Sequence, residues 1–247
     1  MYKFLFLSIT LTILFYKHAQ AQSAPEWSYD GLRDGQNNWS MLSADYALCE
    51  AGLMQSPVVI SHTKSALLPP LQFNYRLVNV KVHATKQFMR IEFEPGNTLV
   101  FGETRYNLIA AEFHSPSEHV VRDTFYPLEI RLLHEDEKGQ RLHLAIFVDS
   151  GGENSGVEPL ITALPQFILT STDTKFDPSK LLPSSLGYFS YIGSQTYPPC
   201  KEGVEWRVLK NSIQFSGAQL QAITKLHGRS ARLEQPIYNR VIYETNE

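Results

Sequence analysis

Short apolar alternations, each closed by a turn signal, recur along this chain and leave little room for long helices. Examples are Leu71-Gln72-Phe73-Asn74-Tyr75, Arg90-Ile91-Glu92-Phe93-Glu94 and Leu142-His143-Leu144-Ala145-Ile146-Phe147-Val148. Successive side chains on a strand point to opposite faces, so such segments read as strands that bury a face of a sheet. Glu94-Pro95-Gly96-Asn97 and Ser150-Gly151-Gly152 supply reversals between them. The best helix candidate runs from Ser216 to Ile223, with Ser216 as its cap and Leu220 and Ile223 spaced to face a core. No repeat, low-complexity run or Pro/Gly/Ser-rich linker divides the chain. The pattern predicts a mostly β domain with a few short helices.

The first residues are of a different kind. Lys3 precedes the apolar run Phe4 to Phe15, and Ala19-Gln20-Ala21 has the small-x-small form of a signal-peptidase site. The run is shorter than the roughly 20 apolar residues of a spanning helix, and no later stretch reaches that length. Residues 1–21 are therefore expected to be a signal peptide, with an uncleaved anchor as the alternative. Residues 22–247 suffice for one large domain with a substantial core and no membrane span. Lys3 and Lys17 leave with the signal, so the 22 Lys and Arg fall by two against 25 Asp and Glu, a net charge of −5. That balance argues against a nucleic-acid partner. Export to the periplasm or cell exterior permits a disulfide. The two cysteines, Cys49 and Cys200, most simply pair with each other, and two free buried thiols are the alternative. The long loop they would close is worth roughly 4–5 kcal/mol in the chain-entropy model.

The most specific signal is Ala110-Ala111-Glu112-Phe113-His114-Ser115-Pro116-Ser117-Glu118-His119. It closely resembles the zinc-binding strand of the α-class carbonic anhydrases, whose bacterial members read Gln-Phe-His-Phe-His-Ser-Pro-Ser-Glu-His. The likeness runs nearly the length of the chain. Trp27-Ser28-Tyr29-Asp30-Gly31, Trp39, Tyr46-Ala47-Leu48-Cys49 and Gln55-Ser56-Pro57-Val58-Val59-Ile60 follow the family's beginning. Gly193-Ser194-Gln195-Thr196-Tyr197-Pro198-Pro199-Cys200 and Glu202-Gly203-Val204-Glu205-Trp206 follow its later motifs, and Gln235-Pro236 and Asn239-Arg240 its end. The resemblance implies the α-carbonic anhydrase fold: a large central, mainly antiparallel sheet of about ten strands, short peripheral helices, and an active site in a conical cavity. It also implies the Cys49–Cys200 disulfide.

Catalysis in that family rests on three His ligands to zinc and one open position, where bound water ionises near neutral pH. The resemblance places the ligand positions at Glu112, His114 and Arg131, the last from Glu129-Ile130-Arg131-Leu132-Leu133-His134. Strand alternation puts Glu112 and His114 on one face, and Glu129, Arg131 and Leu133 on one face of the next strand. Two His and a Glu make a recognised zinc set, but a guanidinium has no lone pair to give. At about 4 Å and an effective dielectric of about 20, an Arg is repelled by a divalent ion by roughly 8 kcal/mol. Beside Glu112 it gains roughly 4 kcal/mol before desolvation. A Glu112–Arg131 ion pair is therefore expected in place of zinc, with His114 beside it and no cofactor. The alternative is a displaced zinc held by Glu112, His114 and His143.

The resemblance carries further positions. Glu118 and Thr196 correspond to the Glu–Thr pair that orients zinc hydroxide, and here are expected to form a buried hydrogen bond joining two segments. Glu129 corresponds to the carboxylate that orients the third ligand and is expected to compete with Glu112 for Arg131. Gln87 stands at the proton-shuttle position and cannot exchange protons near neutral pH. His83, four residues earlier, is expected to have a surface role. The carbon dioxide pocket maps to Leu133, His143, Gln195, Val204 and Trp206, of which His143 and Gln195 are polar where the family is apolar. Tyr197 adds bulk near the mouth. The expected function is that of a catalytically silent, exported carbonic anhydrase-like protein. Its cavity, lined by Arg131, His114, His143, Gln195 and Tyr197, takes a small anion or polar ligand. Alternatives are an active carbonate dehydratase with a shifted zinc site, and a structural or homodimeric partner-binding role.

Overall fold

The computed structural model describes residues 24–246. The expected signal peptide, residues 1–21, lies outside the described residues. Among those described, no helix is long and apolar enough to cross a membrane.

Thirteen strands form one sheet, ten of them along a continuous path. At its centre lie Met89–Phe93, Thr104–His114, Leu128–Glu135 and Arg141–Ser150, each antiparallel to the next, and then Glu202–Leu209, parallel to Arg141–Ser150. Tyr188–Ser194 and Ile242–Thr245 continue antiparallel on one side, and Thr63–Ala66 closes that edge in parallel. A second, two-stranded sheet pairs Val59–Ile60 with Val120–Val121. The expected mainly antiparallel sheet is thus present, with three strands beyond the ten of the path.

The three alternating segments of the sequence all lie in strands, at Leu71–Asn74, Met89–Phe93 and Arg141–Ser150. Arg141–Ser150 is buried from Leu142 to Val148 because both of its faces are covered: Leu142, Leu144, Ile146 and Val148 enter one apolar cluster, Ala145 and Phe147 another. Gly96 takes φ +125° at the Pro95-Gly96 turn, a region that side chains with a Cβ rarely enter. The expected helix is Gly217–Thr224. Ser216 and Gln219 cap it reciprocally, which satisfies backbone donors left open in its first turn, and Leu220 and Ile223 are buried.

Cys49 and Cys200 form a disulfide with their Cα atoms 5.0 Å apart. It joins the helical N-terminal region to the loop after Tyr188–Ser194. A small third core of Tyr29, Trp39, Phe88 and Cys200, with Trp27 and Tyr197 against it, packs that region over the sheet. This N-terminal layer covers the central strands where the polar residues of the motif project.

Candidate functional site

Register builds the centre of the site. Glu112 lies directly opposite Arg131 on one neighbour and opposite Arg90 on the other, and His114 lies opposite Glu129. Directly paired residues share a face at short range, so one carboxylate meets two guanidinium groups. Glu112 Oε1 accepts from Arg90 Nη1 at 2.5 Å and from the Tyr197 hydroxyl at 2.9 Å, and Arg131 Nη2 donates to Oε2 at 3.2 Å.

Arg131 is fully buried. Its Nη1 reaches Glu118 Oε2 at 3.0 Å and donates to the Thr196 hydroxyl, which in turn donates to the same Glu118 oxygen at 2.6 Å. Its Nη2 also bonds to His114 Nε2. His114 Nδ1 donates to the Ser230 carbonyl at 2.6 Å. A carbonyl can only accept, so Nδ1 carries the proton and, in the neutral ring, Nε2 is the acceptor for Arg131. The backbone N–H of Arg232 donates to Glu118 Oε1 at 2.8 Å.

Burial alone would raise the Glu112 carboxyl, but the neighbouring His114 and the charges of Arg131 and Arg90 hold it at about 2. Burial would lower the Arg131 pKa, but Glu118 and Glu112 raise it above the ordinary arginine value. Glu112 and Arg131 are thus both ionised throughout the neutral range.

The expected competition for Arg131 resolves differently from the sequence reading. Glu118, expected only as a partner of Thr196, is the second carboxylate of Arg131. Glu129 instead accepts from the backbone N–H groups of Glu118 at 3.0 Å and His119 at 2.8 Å, and bonds to His119 Nδ1 at 3.0 Å. The loop after the strand turns both N–H groups toward Glu129, and two backbone donors with an imidazole satisfy the carboxylate without a guanidinium. The bonds to His119 overcome the upward push of burial and hold Glu129 at about 2. His119 Nε2 continues to the Tyr191 hydroxyl at 2.7 Å, and Tyr191 to Ser56 at 2.9 Å. Arg90 and His119 were missed at the sequence level. His119 had a signal, since it ends the Ser-Pro-Ser-Glu-His motif.

The single cavity expected around Arg131, His114, His143, Gln195 and Tyr197 is divided. Arg131 and His114 are sealed, because the enlarged Tyr197 ring stacks on Trp27 with centroids 5.6 Å apart, and Phe88 packs on His114. Leu133, His143, Gln195 and Tyr197 line a neighbouring cavity of about 270 Å³ together with Arg90 and Arg141. Val204 and Trp206 are buried and do not line it. Trp206 packs edge-on against His143 and stacked on Tyr191. Burial, aided by the charge of Arg131, pushes His143 down to about 3, so it is neutral. Its Nδ1 has no hydrogen-bond partner among the described residues.

Gln87 donates to the Trp27 carbonyl at 2.8 Å and fastens the N-terminal layer. His83 pairs with Glu92 at 3.1 Å on the surface, as expected. Glu112, His114 and His143 do not converge: among the described residues no three His, Cys, Asp or Glu side chains are arranged as a metal-ligand group.

The eukaryotic-type carbonic anhydrase model matches residues 34–245, and the chain belongs to that family. A carbonic anhydrase of Neisseria gonorrhoeae is 36% identical over 224 residues, covering 88% of this chain and 87% of that protein. The solved α-carbonic anhydrase of Photobacterium profundum superposes with a TM-score of 0.84 at 31% identity, covering 89% of this chain and 100% of that one. Dioscorin solved in complex with ascorbate superposes with a TM-score of 0.82 at 26% identity, covering 90% of this chain and 99% of that one.

Proposed function

We propose that this chain is an exported, carbonic anhydrase-like protein that does not hydrate carbon dioxide by the zinc mechanism and acts through binding. One observation carries the reading: Arg131 bonds His114 and Glu112 through one terminal nitrogen, and Thr196 and Glu118 through the other. A catalytic zinc needs three side-chain lone pairs and one open position. Arg131 offers no lone pair, and it already engages the Nε2 lone pair of His114. A divalent ion here would also face a fixed guanidinium charge. The residues present do not fit zinc.

Thr196 and Glu118, the counterparts of the pair that orients zinc hydroxide, here bind the guanidinium. Gln87, at the shuttle position, cannot relay protons near neutral pH. Export rests on the character of residues 1–21. A carbonic anhydrase name among relatives does not argue for activity, because it follows overall similarity and function resides in the site. Dioscorin with ascorbate supports the binding reading, since a chain of this fold there takes a small organic acid.

Carbon dioxide hydration by the purified protein, with and without added zinc, tests the proposal. The expected rate is that of buffer in both cases. Catalytic turnover that requires zinc and disappears in Glu112→Ala would instead establish an active carbonate dehydratase with a displaced site.

A further inference from the structure

The cavity beside the Arg131 cluster has the wrong lining for the apolar substrate pocket to which its residues correspond. Arg90 and Arg141 face it against one carboxylate, Glu135, and Leu133 and Ile109 supply its apolar side. We propose that it binds a small hydroxy-carboxylic acid, with the carboxylate on the two arginines and the hydroxyl toward Gln195 and His143. The inference rests on the non-zinc reading above and assigns that binding role a location and a ligand class.

Donor accounting supports the carboxylate. A guanidinium carries five N–H donors in a planar fork that matches a carboxylate. Arg90 gives Nη1 to Glu112 and holds Nε 3.6 Å from Glu92, and Arg141 gives Nε to Glu135 at 3.3 Å. Arg90 Nη2 and both terminal nitrogens of Arg141 have no protein partner among the described residues. Both side chains are partly open to solvent, at 25% and 37% exposure, unlike the sealed Arg131.

His143 and Gln195 supply the polar groups of the lining other than its charged residues, His134 and the Tyr197 hydroxyl. His143 is 3% exposed, and its Nδ1 lacks a partner. A buried polar atom left in that condition costs free energy unless a water or ligand group answers it. The Gln195 side-chain amide also has no protein partner among the described residues and offers both donor and acceptor. His143 is uncharged, so this end favours a hydroxyl over a second carboxylate. The volume of about 270 Å³ lies just under the roughly 300–1,000 Å³ of sites for drug-sized ligands, which limits the occupant to a small acid.

Calorimetric titration of the purified protein, after its zinc content has been measured, tests this. The probes are L-lactate and L-malate, with bicarbonate and glycerol as controls. Saturable binding of at least one organic acid at one site is expected, with none of glycerol. Arg90→Gln and Arg141→Gln should each weaken it roughly tenfold, the share of one charge-assisted hydrogen bond. Arg90 also holds Glu112, so if Arg90→Gln fails to fold, Arg141→Gln on the rim carries the test. No saturable binding of any organic acid, binding of bicarbonate alone, or unchanged affinity in Arg141→Gln would overturn the proposal. Failure in zinc-free protein removes this inference alone; zinc-loaded protein that hydrates carbon dioxide removes the reading beneath it as well.

Discussion

Arg131 and Arg141 lie on neighbouring strands, carry the same guanidinium, and live under opposite conditions. Arg131 is enclosed between two buried carboxylates, Glu112 and Glu118. Arg141 sits at the start of its strand with one half-open partner, Glu135. A desolvated charge must be matched inside the protein, and loss of the match leaves other charges buried without compensation. A charge at a cavity rim retains its solvation, contributes little to stability, and is available to a ligand. The same side chain is therefore structural in one place and suited to recognition in the other.

The sharpest way to break this contrast is to remove each arginine in turn. Arg131→Ala leaves Glu118 without its guanidinium and Glu112 with Arg90 alone. It should lower unfolding free energy by about 3–5 kcal/mol in urea titrations, as for other broken buried pairs. A loss below about 1 kcal/mol would mean that the cluster is solvated in solution.

Acid should act mainly on the buried region. Glu112 and Glu129 stand at about 2 when folded against the ordinary carboxyl value of 4.5. Each has a depressed folded pKa, so its contribution is present above about 4.5 and is lost as pH falls toward 2. His134 and His143 add to the slope from higher pH. Burial holds them at about 4 and about 3 against 6.5, so below about 6.5 the unfolded chain binds protons that the folded chain refuses. Thermal midpoints should decline from about pH 6.5 and steepen below 4.5, for a total loss on the order of several kcal/mol. Arg131→Ala should flatten the part due to Glu112.

Thr196→Val should cost roughly 1–3 kcal/mol, because it removes a hydroxyl that accepts from Arg131 and donates to Glu118. Arg141→Gln should move stability by less than about 1 kcal/mol. A larger effect there would place Arg141 with the structural charges and remove the contrast.

How much of this was legible in the sequence depended on the range of each contact. The strand segments and the capped helix were readable because alternation and caps are local. Glu112 and Arg131 were readable as a pair because opposite charges fell at matched motif positions. Arg90 was not: the strand Thr98–Phe101 intervenes before Thr104–His114, so no hairpin count leads from Arg90 to Glu112. The attachment of Glu129 to two backbone N–H groups was also hidden, because backbone donors have no residue signature. The division of the cavity followed from Tyr197 stacking on Trp27, a contact between residues far apart in the chain. The sequence reading expected bulk at that position without showing where the ring would settle.

The central claim is that the guanidinium of Arg131 occupies the place of a metal. Zinc titration of the parent protein beside the double variant Glu112→His with Arg131→His tests it most directly. The parent should retain no zinc after dialysis, and the variant, with His114 completing a three-His set, should retain about one ion per chain. One tightly held zinc in the parent would contradict the account.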